Sequence, residues 1–224
     1  GGLSKRSRLL LFIAASIPLI VINAGRHEIS LPLLGIIDFG IFYSLIIIPI
    51  GIAGASSVYN FLAGFNGLEA GQGILVLTAI SITALFTGNS WLAIIALCMV
   101  SALLAFLIYN FYPAKVFPGN SITLAIGGLI ASIAILGNFE KIAIFIFIPY
   151  IIEFFLKSRG RLRKQSFGKP RSDGTLDQNY DKIYGLTHLS IAILKKINLK
   201  VTEKRVVYII WLFQTIIIIR INLL

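Results

Sequence analysis

Apolar residues in this chain run in long blocks, without the strict alternation of a half-buried strand. The blocks are separated by short polar or glycine-rich breaks. A helix that crosses a bilayer needs roughly 20 mostly apolar residues. Seven blocks read as spans: about Leu9–Ala24, Ile41–Leu62, Ile74–Thr87, Trp91–Phe111, Ile122–Gly137, Ile142–Leu156 and Val206–Leu223. The stretch Glu28–Phe39 is too broken to span, and its Pro32 and Gly35 predict a short extended or re-entrant piece on one surface. Downstream, Leu186, Leu189, Ile193 and Ile197 recur at helical spacing beside Lys195 and Lys196, which predicts a helix lying in the membrane interface. The expected fold is an all-α polytopic membrane protein. It forms one integral membrane domain over residues 1–224, with a basic loop at 157–205 that carries the interfacial helix.

Composition strengthens this picture. Of the 224 residues, 57% are hydrophobic and 13% charged, more apolar surface than a soluble domain of this size can hide. Seven alternating spans put residues 1–8, 60–73, 112–121 and 157–205 on one side. That side holds 17 of the 20 Lys and Arg, the other only Arg26, Lys141 and Arg220. Cytoplasmic loops are the ones enriched in Lys and Arg, so the basic side is expected to face the cytoplasm. The net charge of +11 is then topogenic charge and contact with anionic lipid of the bilayer. Nucleic-acid binding is not indicated, because no aromatic platform or groove-reading helix accompanies the basic residues. Cys98 lies alone in an apolar run, which excludes an internal disulfide. The start at Gly1, without an initiating Met, reads as the C-terminal two-thirds of a larger protein.

Candidate chemistry gathers in four pieces of the basic side. The first is Lys5–Arg8, before a span. The second is Asn60–Gly73, NFLAGFNGLEAGQG, in which Asn60, Asn66 and Glu69 stand among apolar neighbours and glycines. Polar residues at membrane depth are costly and mark sites, and polar backbone survives there only where protein or a watery cavity surrounds it. Amides both donate and accept, which suits nucleobase and sugar groups. The third is Ala114–Ser121, where Gly119 permits close backbone approach and a helix N-terminus favours anions; Asn120 or Ser121 serves equally as a plain N-cap. The fourth is the loop from Lys157, whose seven basic residues up to Arg171 are either solvated topogenic charge or a grip on a diphosphate. No nucleophile–histidine set, Walker loop or metal-type His/Cys spacing is present.

The Asn60–Gly73 segment, with YNFYPAKVFPGNSITLAIGG at Tyr109–Gly128, resembles the UDP-GlcNAc:polyprenyl-phosphate GlcNAc-1-phosphate transferases of eukaryotic and archaeal type. These belong to the polyprenyl-phosphate N-acetylhexosamine-1-phosphate transferases. The resemblance implies transfer of GlcNAc-1-phosphate from UDP-GlcNAc to dolichyl or another polyprenyl phosphate. UMP is released, on the cytoplasmic side, with Mg²⁺ (or Mn²⁺) as cofactor. It implies that Asn60 meets the diphosphate region and Asn66 the uracil, with Glu69 in the same motif and Gly119 beside Phe117, which lines the uracil pocket. Arg163 and Lys164 fall near a run that grips sugar-nucleotide phosphates, Arg8 matches a contact to the lipid phosphate, and Asn120 stands at a metal-binding Asp. An adjacent Asp pair, the expected catalytic or metal carboxylates, is placed upstream of Gly1. Asn120, Gln165 and Ser57 depart from the family's usual Asp, Arg and Asn.

Within that resemblance a sister enzyme using another UDP-N-acetylhexosamine stays open, as does a degenerate, non-catalytic homologue. A homodimer is compatible with the sequence. Abundant Ile with scarce Cys and Met points to a thermophilic archaeon, and so to a cell membrane rather than the endoplasmic reticulum.

Overall fold

The computed structural model describes residues 5–31 and 35–222. It is helical throughout, with two small hairpins. The helices are α1 (Lys5–Val21), α2 (Ile48–Phe61), α3 (Leu68–Phe86), α4 (Ser90–Asn110), α5 (Gly119–Gly137), α6 (Glu140–Ile146), α7 (Ile148–Arg159), α8 (Leu186–Lys196) and α9 (Glu203–Asn222). A π-helical turn, Tyr43–Ile47, leads directly into α2.

Among the described residues, four helical stretches are long and apolar enough to cross a membrane: Tyr43–Phe61, Leu68–Phe86, Ser90–Asn110 and Gly119–Gly137. The expected number of seven is therefore not confirmed. In α1 the apolar part among the described residues is Leu10–Val21, about 18 Å at 1.5 Å per residue. The sixth expected span is two helices that meet at Phe147, with Pro149 in the first turn of α7. Proline lacks the N–H that would continue the ladder. The Gln214 side chain from α9 donates to the Ile146 carbonyl at this break, at 3.1 Å. Helix α9 has the length but carries Glu203, Lys204, Arg205 and Arg220, which leaves a shorter apolar middle.

Helix α3 is the central one. Of its apolar stretch 72% is buried, against 28% for α4. It packs on α4 and α9, while α2 packs on α5. One continuous core runs from Tyr59 and Leu62 through Val76, Ile80, Ala93, Ile126 and Ile130 to Val207 and Ile210. A smaller cluster joins α1, α2 and α5 through Leu19, Tyr43, Ile48, Ile52 and Ile135. Large apolar side chains such as Leu10, Ile50, Trp91, Ile94, Leu104 and Ile108 face outward, the pattern of a protein whose solvent is lipid. The chain is an integral membrane protein.

The broken stretch after α1 is extended, as expected. Strands β1 (Glu28–Leu31) and β2 (Gly35–Asp38) pair antiparallel, Glu28 opposite Asp38 and Leu31 opposite Gly35. Pro32 lies outside the described residues. In the basic loop, β3 (Lys169–Pro170) pairs with β4 (Leu176–Asp177). Arg171 and Lys195 both donate to the Asp177 carboxylate. These contacts, Lys195 foremost, hold that carboxyl well below the usual range.

Candidate functional site

The break between α2 and α3 is a loop, residues 62–67, and its shape needs glycine. Gly64 and Gly67 have φ of +124° and +82°, values that L side chains rarely adopt. A Cβ on Gly64 would also stand 2.7 Å from the Phe167 ring, and one on Gly67 3.0 Å from Phe111. The loop is thus pressed between the basic loop and the end of α4.

Three of its backbone N–H groups are met by side chains. The Gly64 amide donates to Glu69 Oε1 at 2.6 Å, the Asn66 amide to Glu203 Oε1 at 2.6 Å, and the Gly67 amide to Asn110 Oδ1 at 3.1 Å. Buried polar backbone demands such partners. Asn110 is fully buried and also donates to the Val116 carbonyl at 2.8 Å, which ties the loop to the turn before α5. That turn returns to α2: Thr123 Oγ1 donates to Asn60 Oδ1 at 2.6 Å and lies 3.1–3.2 Å from the Gly119 and Asn120 carbonyls.

The third wall is the basic loop. Lys157 donates to the Phe61 carbonyl at the end of α2, and its ammonium lies 3.5 Å from Glu153 Oε1. Glu153 Oε2 in turn accepts from the Leu186 amide at 2.6 Å, which caps α8. Phe167 faces Phe65 with centroids 6.3 Å apart. The Lys164 ammonium stands 4.6 Å from the Tyr180 ring and 5.7 Å from Tyr184, within cation–π range.

The structure therefore gathers Asn60, Asn66, Glu69, Gly119 and Asn120 at one end of the bundle, where the basic loop meets the 62–67 loop through Phe167. Glu69 is buried and engaged inside the loop, whereas Phe117, Gly119, Asn120, Arg163 and Lys164 are exposed. Arg8 falls in α1, and its side chain lies outside the described ones. Among the described residues no three His, Cys, Asp or Glu side chains gather as metal ligands. Mg²⁺ prefers carboxylate and phosphate oxygens. Among the described residues, the exposed Asn120 amide, with no such cluster to complete a shell, therefore does not fit as its cage.

Asn110, Glu153, Glu203 and Thr123 are the residues that sequence reasoning passed over. A carboxylate inside the apolar run IPYIIEFFL was the available signal for Glu153. The other three end or open helices, where polar residues are ordinary.

Helix α8 shows two faces. Leu186, His188, Ile191 and Leu194 are buried, while Ile193 and Ile197 are exposed beside the lysines. His188 Nδ1 accepts from the Tyr184 amide at 3.3 Å, and burial lowers the imidazole's pKa, with Lys157 nearby adding to the effect. On acidification the unfolded chain therefore takes up this proton first, below about 6.5. Stability above that pH is unaffected and falls as pH drops through it. Protease cleavage of the 157–185 loop is expected to accelerate between pH 7.5 and 5.5, and the acceleration to flatten in His188→Gln.

A cavity of about 380 Å³ lies along α2, α5, α6 and α7, lined by Val58, Ala55, Gly51, Ile130, Phe147 and Ile151 among others. It is almost wholly apolar. Glu140, which accepts a 2.5 Å hydrogen bond from the Tyr43 hydroxyl, is its charged member.

A protein of Saccharolobus solfataricus is 44% identical over 211 residues, 93% of this chain and 64% of that protein. Its provisional name is UDP-N-acetylglucosamine–dolichyl-phosphate N-acetylglucosaminephosphotransferase. The UDP-N-acetylglucosamine–dolichyl-phosphate N-acetylglucosaminephosphotransferase of Dictyostelium discoideum is 32% identical over 186 residues, 68% of this chain and 45% of that protein. The phospho-N-acetylmuramoyl-pentapeptide-transferase of Halalkalibacterium halodurans is 38% identical over 156 residues, 68% of this chain and 48% of that protein. The chain spans less than two thirds of the length of these relatives. The model of glycosyl transferase family 4 matches residues 1–138, which include the glycine-bearing loop, Asn110 and the start of α5. The chain belongs to glycosyl transferase family 4.

Proposed function

We propose that the protein carrying this chain transfers GlcNAc-1-phosphate from UDP-GlcNAc to dolichyl or another polyprenyl phosphate and releases UMP. The observation that carries this reading is a polar, amide-bearing loop at the head of an apolar groove. Asn60 follows Val58 of the groove wall by two residues. A reaction between a water-soluble nucleotide and a lipid phosphate needs both surfaces to meet at one point. The names of the Saccharolobus and Dictyostelium relatives agree with it.

In this reading an acceptor phosphate oxygen attacks the β-phosphorus of UDP-GlcNAc. The new P–O bond forms as the bond to the UMP phosphate breaks, and UMP leaves as the anion. Asn66 and Phe117 bind the uridine end and Asn60 the diphosphate region. Arg163 and Lys164 offset the negative charge that three phosphates bring together, and the groove holds the isoprenoid. Phosphoryl transfer asks for positioning and charge neutralisation more than covalent help. Mg²⁺ dependence, a cytoplasmic site and an archaeal cell membrane belong to the same proposal, with the metal's carboxylates supplied from outside the described residues.

Asn120, an amide where the resemblance expects a carboxylate, favours a second reading: a homologue that binds the nucleotide without turning it over. UMP release decides. The purified protein, in detergent with UDP-GlcNAc, polyprenyl phosphate and Mg²⁺, is expected to release UMP, and to do so faster than with other UDP-N-acetylhexosamines. UMP binding without release from any of these donors supports the second reading and ends the first.

A further inference from the structure

Helix α9 lies outside the matched segment 1–138, yet one stripe of it carries the loop between α2 and α3. Glu203, Val207 and Trp211 follow at intervals of four and so share a face. Glu203 Oε1 accepts the Asn66 amide at 2.6 Å, across 137 residues of sequence. Val207 is fully buried in the main core. Trp211 Nε1 donates to the Leu68 carbonyl at 3.3 Å. Its ring fills the space above Gly71, where a Cβ would stand 1.9 Å from Cζ2. Beside it, the Lys204 ammonium lies 5.4 Å from the Tyr112 ring and 5.9 Å from Phe111.

We propose that Glu203 is a positioning residue for nucleotide recognition: through the Asn66 backbone amide, α9 sets the place of the Asn66 side chain and thereby the affinity for the uridine end of the donor. The inference rests on the reading of Asn66 given above. A plain alternative exists, since an acid in the first turn of a helix is favoured by the macrodipole alone. Two features speak for the specific role. Its carboxylate oxygen reaches out of its own helix to a single amide of the loop. And that amide belongs to the residue whose side chain is half-buried, between Gly64 and Gly67, both at positive φ.

The test uses UMP as probe, so no turnover is needed. Glu203→Ala removes the acceptor, Glu203→Gln keeps an oxygen in place, and Glu203→Asp withdraws it by one methylene without emptying the site. Glu203→Ala is expected to weaken UMP binding about tenfold, the size of one charge-assisted hydrogen bond. It is also expected to speed amide exchange in residues 62–67 and to leave polyprenyl-phosphate binding unchanged. Glu203→Gln should restore most of the affinity, and Glu203→Asp should fall between, including where the alanine variant does not fold. UMP affinity unchanged in Glu203→Ala or Glu203→Asp, or nucleotide and lipid binding weakened alike, overturns the positioning role alone. A wild-type protein that binds no UMP overturns the reading of Asn66 and this inference with it.

Discussion

Replacing Lys157 with methionine is expected to cost about 3–5 kcal/mol of stability, the range for removing one partner of a buried ion pair. That is a large share of the roughly 5–15 kcal/mol that holds a domain together. The reason lies in what remains. Glu153 is fully buried on α7, and the lysine ammonium 3.5 Å from its Oε1 is the cation that balances it. The same ammonium satisfies the Phe61 carbonyl, one of the acceptors that every helix end leaves open. With methionine in place, a carboxylate stays in an apolar interior without its counter-charge, and the end of α2 loses its cap. Glu153→Gln alone should cost less, because an amide oxygen still accepts the Leu186 amide that starts α8. The double variant should recover part of the Lys157→Met loss, a coupling that a double-mutant cycle isolates. Thermal melts in detergent read all three. Full stability of Lys157→Met would mean that the pair is not what joins α2, α7 and α8.

This pair also shows where the sequence stopped being legible. Long apolar blocks bounded by Gly-Asn, Pro-Gly-Asn and glycine-rich breaks marked α3, α4 and α5 plainly, because span length and turn chemistry are local properties. Charge bias put the break at Asn60, the turn before α5 and the basic loop on one side, and all three meet at one end of the bundle. Lys157, read as one of seven loop cations, instead turns inward. That choice depends on a carboxylate one helical turn earlier and a carbonyl 96 residues away, and no periodicity reports the second. Likewise Glu203 and Asn110 look like ordinary helix-end residues until the 62–67 loop is folded against them. The sixth expected span, which is not confirmed as one helix, differs for the opposite reason. Its apolar run is continuous, but the single Pro149 divides it, and Gln214 from another helix makes the division tolerable.

The second large effect is expected at Gly127. Helices α2 and α5 approach closely there: a Cβ on Gly127 would stand 2.6 Å from the Ala55 carbonyl oxygen and 2.6 Å from Ser56 Cα. Both are backbone atoms, so no rotamer change relieves the clash, and Gly127→Ala must drive the helices apart. Overpacking of this kind costs about 1–3 kcal/mol, and small residues at such crossings are what lets membrane helices meet. For the proposed transfer the expected consequence is larger than the loss of stability. One turn nearer the site, on the same pair of helices, Thr123 holds Asn60 through its 2.6 Å hydrogen bond, and the groove wall at Ala55, Ile130 and Ala131 flanks the same crossing. A separation of about 1 Å moves the amide and the apolar groove relative to each other, and for the proposed transfer misplacement on that scale is expected to cost about a hundredfold in rate. Gly128→Ala supplies the control, because its Cβ would meet only the Ser56 hydroxyl, at 3.1 Å, which can rotate away. UMP release and thermal melting should therefore separate two neighbouring glycines, Gly127→Ala slow and destabilised, Gly128→Ala close to wild type. Equal behaviour of the two would show that the α2–α5 crossing does not set the geometry of the site.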